Sequence, residues 1–193
     1  MMKIGVTGGI GSGKSFVCSV MEDRCGIPIY NSDAQAKRLI NTHSDILQKI
    51  CKLVGSCVIN SDGSLYKAAL AEYLFSSDEH AAKINAIVHP AVIQDFRRWC
   101  TEQHTQNVCV ESALLFESGL SDEVDVILYV DAPLQTRLSR AVLRDNSTEE
   151  EIKRRMSRQD IISERKRADY IIYNGETETI DSIYKQLKFI LSC

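Results

Sequence analysis

Val6-Thr7-Gly8-Gly9-Ile10-Gly11-Ser12-Gly13-Lys14-Ser15 follows a short apolar run and completes the P-loop pattern G-x-x-x-x-G-K-[ST] between Gly8 and Ser15. Five glycines fall in the nine residues from Gly5 to Gly13. With so little side chain in the way, the backbone N–H groups of Gly11, Ser12 and Gly13 can curl round phosphate oxygens. Lys14 then reaches the β and γ phosphates, and Ser15 offers a hydroxyl to Mg²⁺. Ile4 and Val6 supply the feeding strand. Phe16 to Met21 read as the helix whose N-terminus turns its partial positive charge toward the anion. A purely structural turn would not need Lys14, so the stretch predicts a nucleoside triphosphate site.

The rest of the chain bounds what such a site serves. Its 193 residues fit one good-sized domain, or a core with one or two insertions, and the 44% hydrophobic and 25% charged fractions are those of a globular protein. A net charge of −3 argues against a nonspecific nucleic-acid binder, whose footprint would be basic. Seven cysteines, none in a C-x-x-C pair, read as reduced thiols buried as small hydrophobes, and the four histidines give no zinc spacing with them, so no structural metal is expected. Lys3 to Val6 passes straight into glycines without the apolar stretch of a signal peptide, and no apolar run approaches the ~20 residues that span a bilayer. The expectation is a soluble cytoplasmic protein, with no membrane association and no obligate protein partner.

Beyond the phosphate loop, Arg24-Cys25-Gly26 closes a turn, and Ile27 to Tyr30 reads as a second strand that delivers Asn31-Ser32-Asp33. Ligands gather outside the carboxyl ends of strands in parallel sheets, so Asp33 is expected on the rim of the phosphate loop. It could equally be an N-cap for the helix that starts near Ala34. From Ala34 to Cys100 the pattern is mostly helical, with Ile46, Leu47, Ile50, Leu53 and Val54 on one face and Ala69, Leu70, Tyr73 and Leu74 on another. Asp62-Gly63 marks a turn between them, and Cys57 to Ile59 is the only strand-like stretch. A helical insertion at this point of a sheet is where an acceptor site tends to be built. His89-Pro90 predicts a bend, with His89 hydrogen-bonded there, and Trp99 reads as packing.

Asn107 to Glu111 reads as a third strand buried on both faces. It puts Glu111 where an acidic residue can serve Mg²⁺, with helix capping as the alternative; Glu117 reads as a cap or rim residue. Val124 to Val130 is the fourth strand, stopped by Asp131-Ala132-Pro133. Between Arg137 and Arg167 ten basic residues face six acidic ones. Most of such a run is a solvated helical surface. Arg140 and Arg144, however, sit four apart on one face before the breaker Asp145-Asn146-Ser147, as a pair closing over a transferring γ-phosphate would. Asp169 to Tyr173 is the fifth strand, ending in Asn174-Gly175, which could line an adenine pocket or be a plain turn. Ile180, Ile183, Tyr184, Leu187, Ile190 and Leu191 define a final amphipathic helix.

Over nearly its whole length the chain resembles the dephospho-CoA kinases. Val6 to Ser15 is similar to that family's opening, Asp33 matches its aspartate after the second strand, and Asn85-Ala86-Ile87-Val88-His89-Pro90 resembles its Asn-x-Ile-Val-His-Pro segment. Leu114-Leu115-Phe116-Glu117 resembles its Leu-Leu-Phe-Glu, and Ala168-Asp169 with Asn174 its closing residues. Phe16 stands where the family usually has threonine, Asn31 for a frequent aspartate, Lys67 for a frequent arginine, and Glu111 and Ala113 where aspartate and proline are common.

The resemblance implies a P-loop kinase fold: a five-stranded parallel sheet flanked by helices, with a helical substrate-binding insertion and a lid. The core would comprise 1–32, 101–136 and 168–193, the CoA-binding domain 33–100 and the lid 137–167. It implies ATP and dephospho-CoA as substrates with Mg²⁺, and transfer of the γ-phosphate to a 3′-hydroxyl. Asp33, Lys14 and Arg140 would be catalytic, and Asp33, Lys67, His89 and Leu115 would meet the acceptor. Gly11, Ser12, Gly13, Lys14, Ser15, Phe16, Arg144 and Asn174 would meet the nucleotide, and Ser15 and Glu111 the metal. A kinase for nucleotides or another small acceptor is the competing enzyme reading. A GTPase-type switch would be expected to carry N-K-x-D, and no asparagine here precedes a lysine.

Overall fold

The computed structural model describes residues 1–55, 58–60 and 65–191. These fall into two compact units, one comprising Met1–Asn31 with Glu102–Cys193, the other Ser32–Thr101.

The first unit is built on a parallel sheet of β1 (Met2–Thr7), β2 (Ile29–Asn31), β3 (Asn107–Glu111), β4 (Val126–Asp131) and β5 (Tyr170–Tyr173), in the spatial order β2-β3-β1-β4-β5. Parallel strands covered on both faces should be apolar throughout. Val108, Cys109 and Val110 are accordingly all enclosed. On one face pack α1 (Lys14–Cys25) and α9 (Ile180–Leu191), which seat Val17, Met21, Ile183 and Leu187 against Ile4, Val6, Leu128 and Val130. Each such side chain contributes about 1.5–3 kcal/mol relative to exposure. Against strand β1 lies the turn that holds Leu115 and Leu120, both enclosed. Helices α6 (Leu134–Asp145) and α7 (Glu149–Met156) form a smaller core from Leu138, Ala141, Ile152 and Met156. Thr148 caps α7 reciprocally with Glu151, and α8 (Ile161–Arg167) leads into β5.

Strand β2 starts two residues later than the sequence predicts. Gly26 ends α1 in the left-handed conformation, φ 64°, and the N–H of Ile27 is drawn back to the carbonyl of Met21, so the ladder with β3 opens at the Pro28 carbonyl, which accepts from the N–H of Cys109, and the strand proper starts at Ile29. Asp169 likewise stops short of β5: its carboxylate accepts from the N–H of Ile127, and its own N–H donates to that residue's carbonyl.

The second unit is helical: α2 (Ser32–Thr42), α3 (Ser44–Val54), α4 (Lys67–Ser76) and the long α5 (Asp78–Thr101), against which the other three pack. Its core includes Leu39, Ile50, Leu70, Ile84, Val88, Val92 and Phe96. The buried carboxylate of Asp95 is compensated by Arg38 at 2.7 Å and Arg98 at 2.5 Å. Trp99 stacks on Phe96, centroids 6.2 Å apart, as a packing residue. The interruption of the helix expected at His89-Pro90 does not occur, because α5 runs through Pro90 as one helix. One lost N–H bond there is outweighed by burial on both sides, at Val88 and Val92. Ile59 and Leu65 make one antiparallel bridge; Cys57 of the expected strand and the Asp62-Gly63 turn lie outside the described residues.

Candidate active site

Strand β1 runs directly into the glycine-rich loop, and the loop into the first turn of α1, so the amides at that helix start point toward the carboxyl end of the sheet. Two glycines are required by space as well as by dihedral. Gly13, at φ 89°, leaves no room for a Cβ beside the Asn174 amide, and Gly11, at φ 77°, none beside the carbonyl of Arg137.

The loop is held from three elements. Arg137 of α6, almost fully buried, donates through Nε to the carbonyl of Ile10 at 3.0 Å, and Gln159 accepts from the N–H of the same residue at 2.8 Å. Asn174, at the carboxyl end of β5, donates through Nδ2 to the carbonyl of Ser12 at 2.8 Å. Arg140 spans the next turn, both terminal nitrogens donating at 2.9 Å, to the carbonyls of Asn174 and Gly175. Lys14 Nζ donates to the carbonyls of Gly8 at 2.8 Å and Gly9 at 3.3 Å, poised over the loop that its charge serves.

Ser15 donates to Glu111 Oε1 at 2.6 Å, and Asn31 donates to Glu111 Oε2 at 2.9 Å. A largely buried carboxylate whose two oxygens accept from two neutral groups, one a hydroxyl, is a hard-oxygen pair suited to a small divalent cation that keeps waters and phosphate oxygens as its other ligands. Among the described residues there is no cluster of three or more His, Cys, Asp or Glu that could hold a metal by protein ligands alone. Beneath the loop, burial holds the Tyr129 phenol up at about 12, and burial with Glu117 nearby pushes the Glu164 carboxyl up to about 7.

The remaining expected site residues are divided between the two units. Leu115 is fully buried, its methyls against Gly5. Phe16 is partly buried and packs on the sheet core. Arg144 is ion-paired to Asp145, which also takes Arg155, and Arg140 is spent on carbonyls. Both arginines are thus engaged within the segment that carries them or the turn beside it, Arg144 with its side chain 62% exposed. Asp33 lies exposed in the first turn of α2 and His89 half-buried on α5. Lys67 opens α4, where with Lys37, Ile40, Leu70 and Leu74 it lines an open cavity of about 380 Å³. Arg137, Gln159, Tyr129 and Glu164 carry no motif in the sequence, and only the three-dimensional packing reveals them.

A parallel sheet in this order, with a phosphate loop opening its first helix, defines a P-loop kinase. The sequence model of the dephospho-CoA kinases matches residues 2–179. A dephospho-CoA kinase of Bacteroides fragilis is 44% identical over 192 residues, covering 98% of this chain and 93% of that protein, and one of Geobacillus kaustophilus is 36% identical over 196 residues, covering 98% and 95%. The crystal structure of TT1252 from Thermus thermophilus superposes with a TM-score of 0.82 at 31% identity, covering 99% of this chain and 96% of that one. A shikimate kinase of Bacteroides thetaiotaomicron, 12% identical with a TM-score of 0.61 and covering 100% and 99%, shares the fold alone. The chain belongs to the dephospho-CoA kinase family. No helix among the described residues is long and apolar enough to cross a membrane.

Proposed function

We propose that the chain transfers the γ-phosphate of ATP to the 3′-hydroxyl of dephospho-CoA, giving coenzyme A and ADP, the last step of coenzyme A synthesis. The observation that carries this is the phosphate loop, braced at Ile10 and Ser12, in a chain similar to dephospho-CoA kinases over 98% of its length. In the reaction the acceptor oxygen bonds to the γ-phosphorus, and the bond from that phosphorus to the β,γ-bridging oxygen breaks. Lys14 turns from the Gly8 and Gly9 carbonyls to the β and γ phosphates, and the first amides of α1 hold the rest. Asp33 orients the acceptor hydroxyl and takes its proton. Positioning counts here as much as basicity, because a loose transition state needs little early proton transfer. Ser15 and Glu111 would hold Mg²⁺, which supplies neutralisation of phosphate charge.

The helical unit is the acceptor domain in this reading. The apolar walls of the Lys37–Lys67 cavity suit a pantetheine arm, with two ammonium groups for its phosphates, and His89 contributes on α5. Segment 137–167 acts as a lid, with Arg140 and Arg144 on it, and Asn174 borders the adenine. Free thiols at Cys18, Cys51 and Cys109 support a reducing, cytoplasmic setting, and the net charge of −3 supports small-molecule substrates rather than nucleic acid. The test is a coupled ADP-release assay with dephospho-CoA, nucleoside monophosphates and shikimate offered in parallel. Turnover restricted to dephospho-CoA is expected, and preferred use of either alternative overturns the assignment.

A further inference from the structure

We propose that the carboxyl group of Glu164 sets the charge of the floor beneath the phosphate loop, so that a nucleotide's phosphates bind there together with a proton on Glu164. The proposal rests on the ATP reading of the loop. Glu164, in α8, is 4% exposed, and its Oε2 is fully enclosed with no hydrogen-bond partner among the described residues. Buried carboxylates ordinarily have both oxygens bonded, and one with an enclosed oxygen left unbonded favours its neutral form.

The charged and titratable groups that face it come from five places. Lys14 approaches from α1, Arg137 from α6, Tyr129 from β4, Glu117 from the turn after β3, and Asp160 from the cap of its own helix. Burial first, then Glu117, push the carboxyl up to about 7, against the pull of Lys14 and Arg137. Tyr129, held at about 12, keeps its proton and adds no charge at neutral pH. Its neighbours in α8 are engaged elsewhere, Arg165 on Asp131 and Arg167 over the ring of Phe116.

Phosphate groups on the loop change this balance in one direction. Arg137 is tied to Ile10, whereas the flexible ammonium of Lys14 gains stronger acceptors in the β and γ oxygens, and the phosphates bring several negative charges. Glu164 thus loses part of an opposite charge and gains like charges, and both changes favour the protonated acid. Binding then takes up a proton wherever the free protein is deprotonated. Affinity is flat below about pH 7 and declines above it as each binding event must draw that proton.

The experiment is calorimetric titration of the full chain with a non-hydrolysable ATP analogue and saturating Mg²⁺, from pH 6 to 8.5, in buffers of differing ionisation enthalpy. Wild type, Glu164→Gln and Glu117→Gln are compared, each checked by thermal melt. Glu164→Gln fixes the neutral shape, so it is expected to match wild type at pH 6, to bind about threefold to tenfold tighter at pH 8.5, and to lack the wild type's proton uptake. Ionisation of the analogue itself is common to both proteins and cancels in the ratio. Glu117→Gln removes an acid neighbour and is expected to move the onset of the wild-type decline to lower pH, which keeps the test open if the Glu164 variant does not fold. A ratio constant with pH, equal proton counts, or an unmoved onset overturns the proposal. Failure of wild type to bind the analogue at any pH overturns the ATP reading and this proposal with it.

Discussion

Asn174 and Ser12, 162 positions apart in the chain, are joined by a buried hydrogen bond of 2.8 Å from the Asn174 side-chain amide to the Ser12 carbonyl. That bond ties the end of β5 to the phosphate loop, and Arg140 braces its far side. Asn174→Ala leaves a buried carbonyl without its donor, a loss of about 1–3 kcal/mol. The melting temperature is expected to fall by roughly 2–4 °C per kcal/mol for a chain of this size. KM for ATP is expected to rise as the loop loosens. A variant that melts lower with an unchanged KM would show that the bond braces the fold and not the loop geometry.

The Ser15–Glu111 pair predicts a metal phenotype. Glu111→Gln keeps the shape and an acceptor for Ser15 but removes the charge that would hold a divalent cation. The Mg²⁺ concentration for half-maximal activity should rise on the order of 10–100-fold. Activity is measured against Mg²⁺ at fixed ATP, and an unmoved midpoint assigns Glu111 to bracing alone.

Asp33→Asn retains size and a carbonyl acceptor but loses basicity. It is expected to bind both substrates and turn over at least ~10² more slowly. A variant with wild-type kcat and a lowered melt would make Asp33 a first-turn charge that stabilises the start of α2.

Leu115→Ala separates a packing role for this residue from contact with the acceptor. A fully buried leucine lost from beside Gly5 costs about 2–5 kcal/mol, visible as a clear drop in the melt. The KM for the acceptor should stay put once the protein is folded. A selective rise in that KM with an unchanged melt would assign Leu115 to the acceptor site.

Asp145 gives a pH prediction. Arg144 first, and Arg155 beside it, hold its carboxyl down at about 2. A folded-state value below the unfolded one, roughly 3.9, means stability that is present above about pH 4 and lost as pH falls toward 2. Both arginines are about half exposed or more, so screening leaves on the order of 1 kcal/mol. Asp145→Asn should melt slightly below wild type at neutral pH, and the gap should close by about pH 2.

Local signals were legible because they act over a few residues. Glycine spacing fixed where β1 becomes α1, an apolar run gave β3 its observed bounds, and the breaker at Asp145-Asn146 gave the end of α6. The same locality misled at Pro90, where the restriction that proline places on the residue before it predicted an interrupted helix. There burial at Val88 and Val92 prevailed and the helix continues.

By itself, then, the sequence determined that this chain has a phosphate loop with Lys14 and Ser15 in place, and which family it resembles, since glycine freedom and motif spacing are written in consecutive residues. Only the tertiary structure decided what holds that loop. Arg137, Gln159 and Asn174 reach it from α6, from the segment before α8 and from the end of β5, and Glu164 is enclosed within electrostatic reach of Lys14 and Arg137. Burial, and the desolvation and hydrogen-bond partners that come with it, depends on which segments the fold stacks together, and no spacing along one chain encodes that locally.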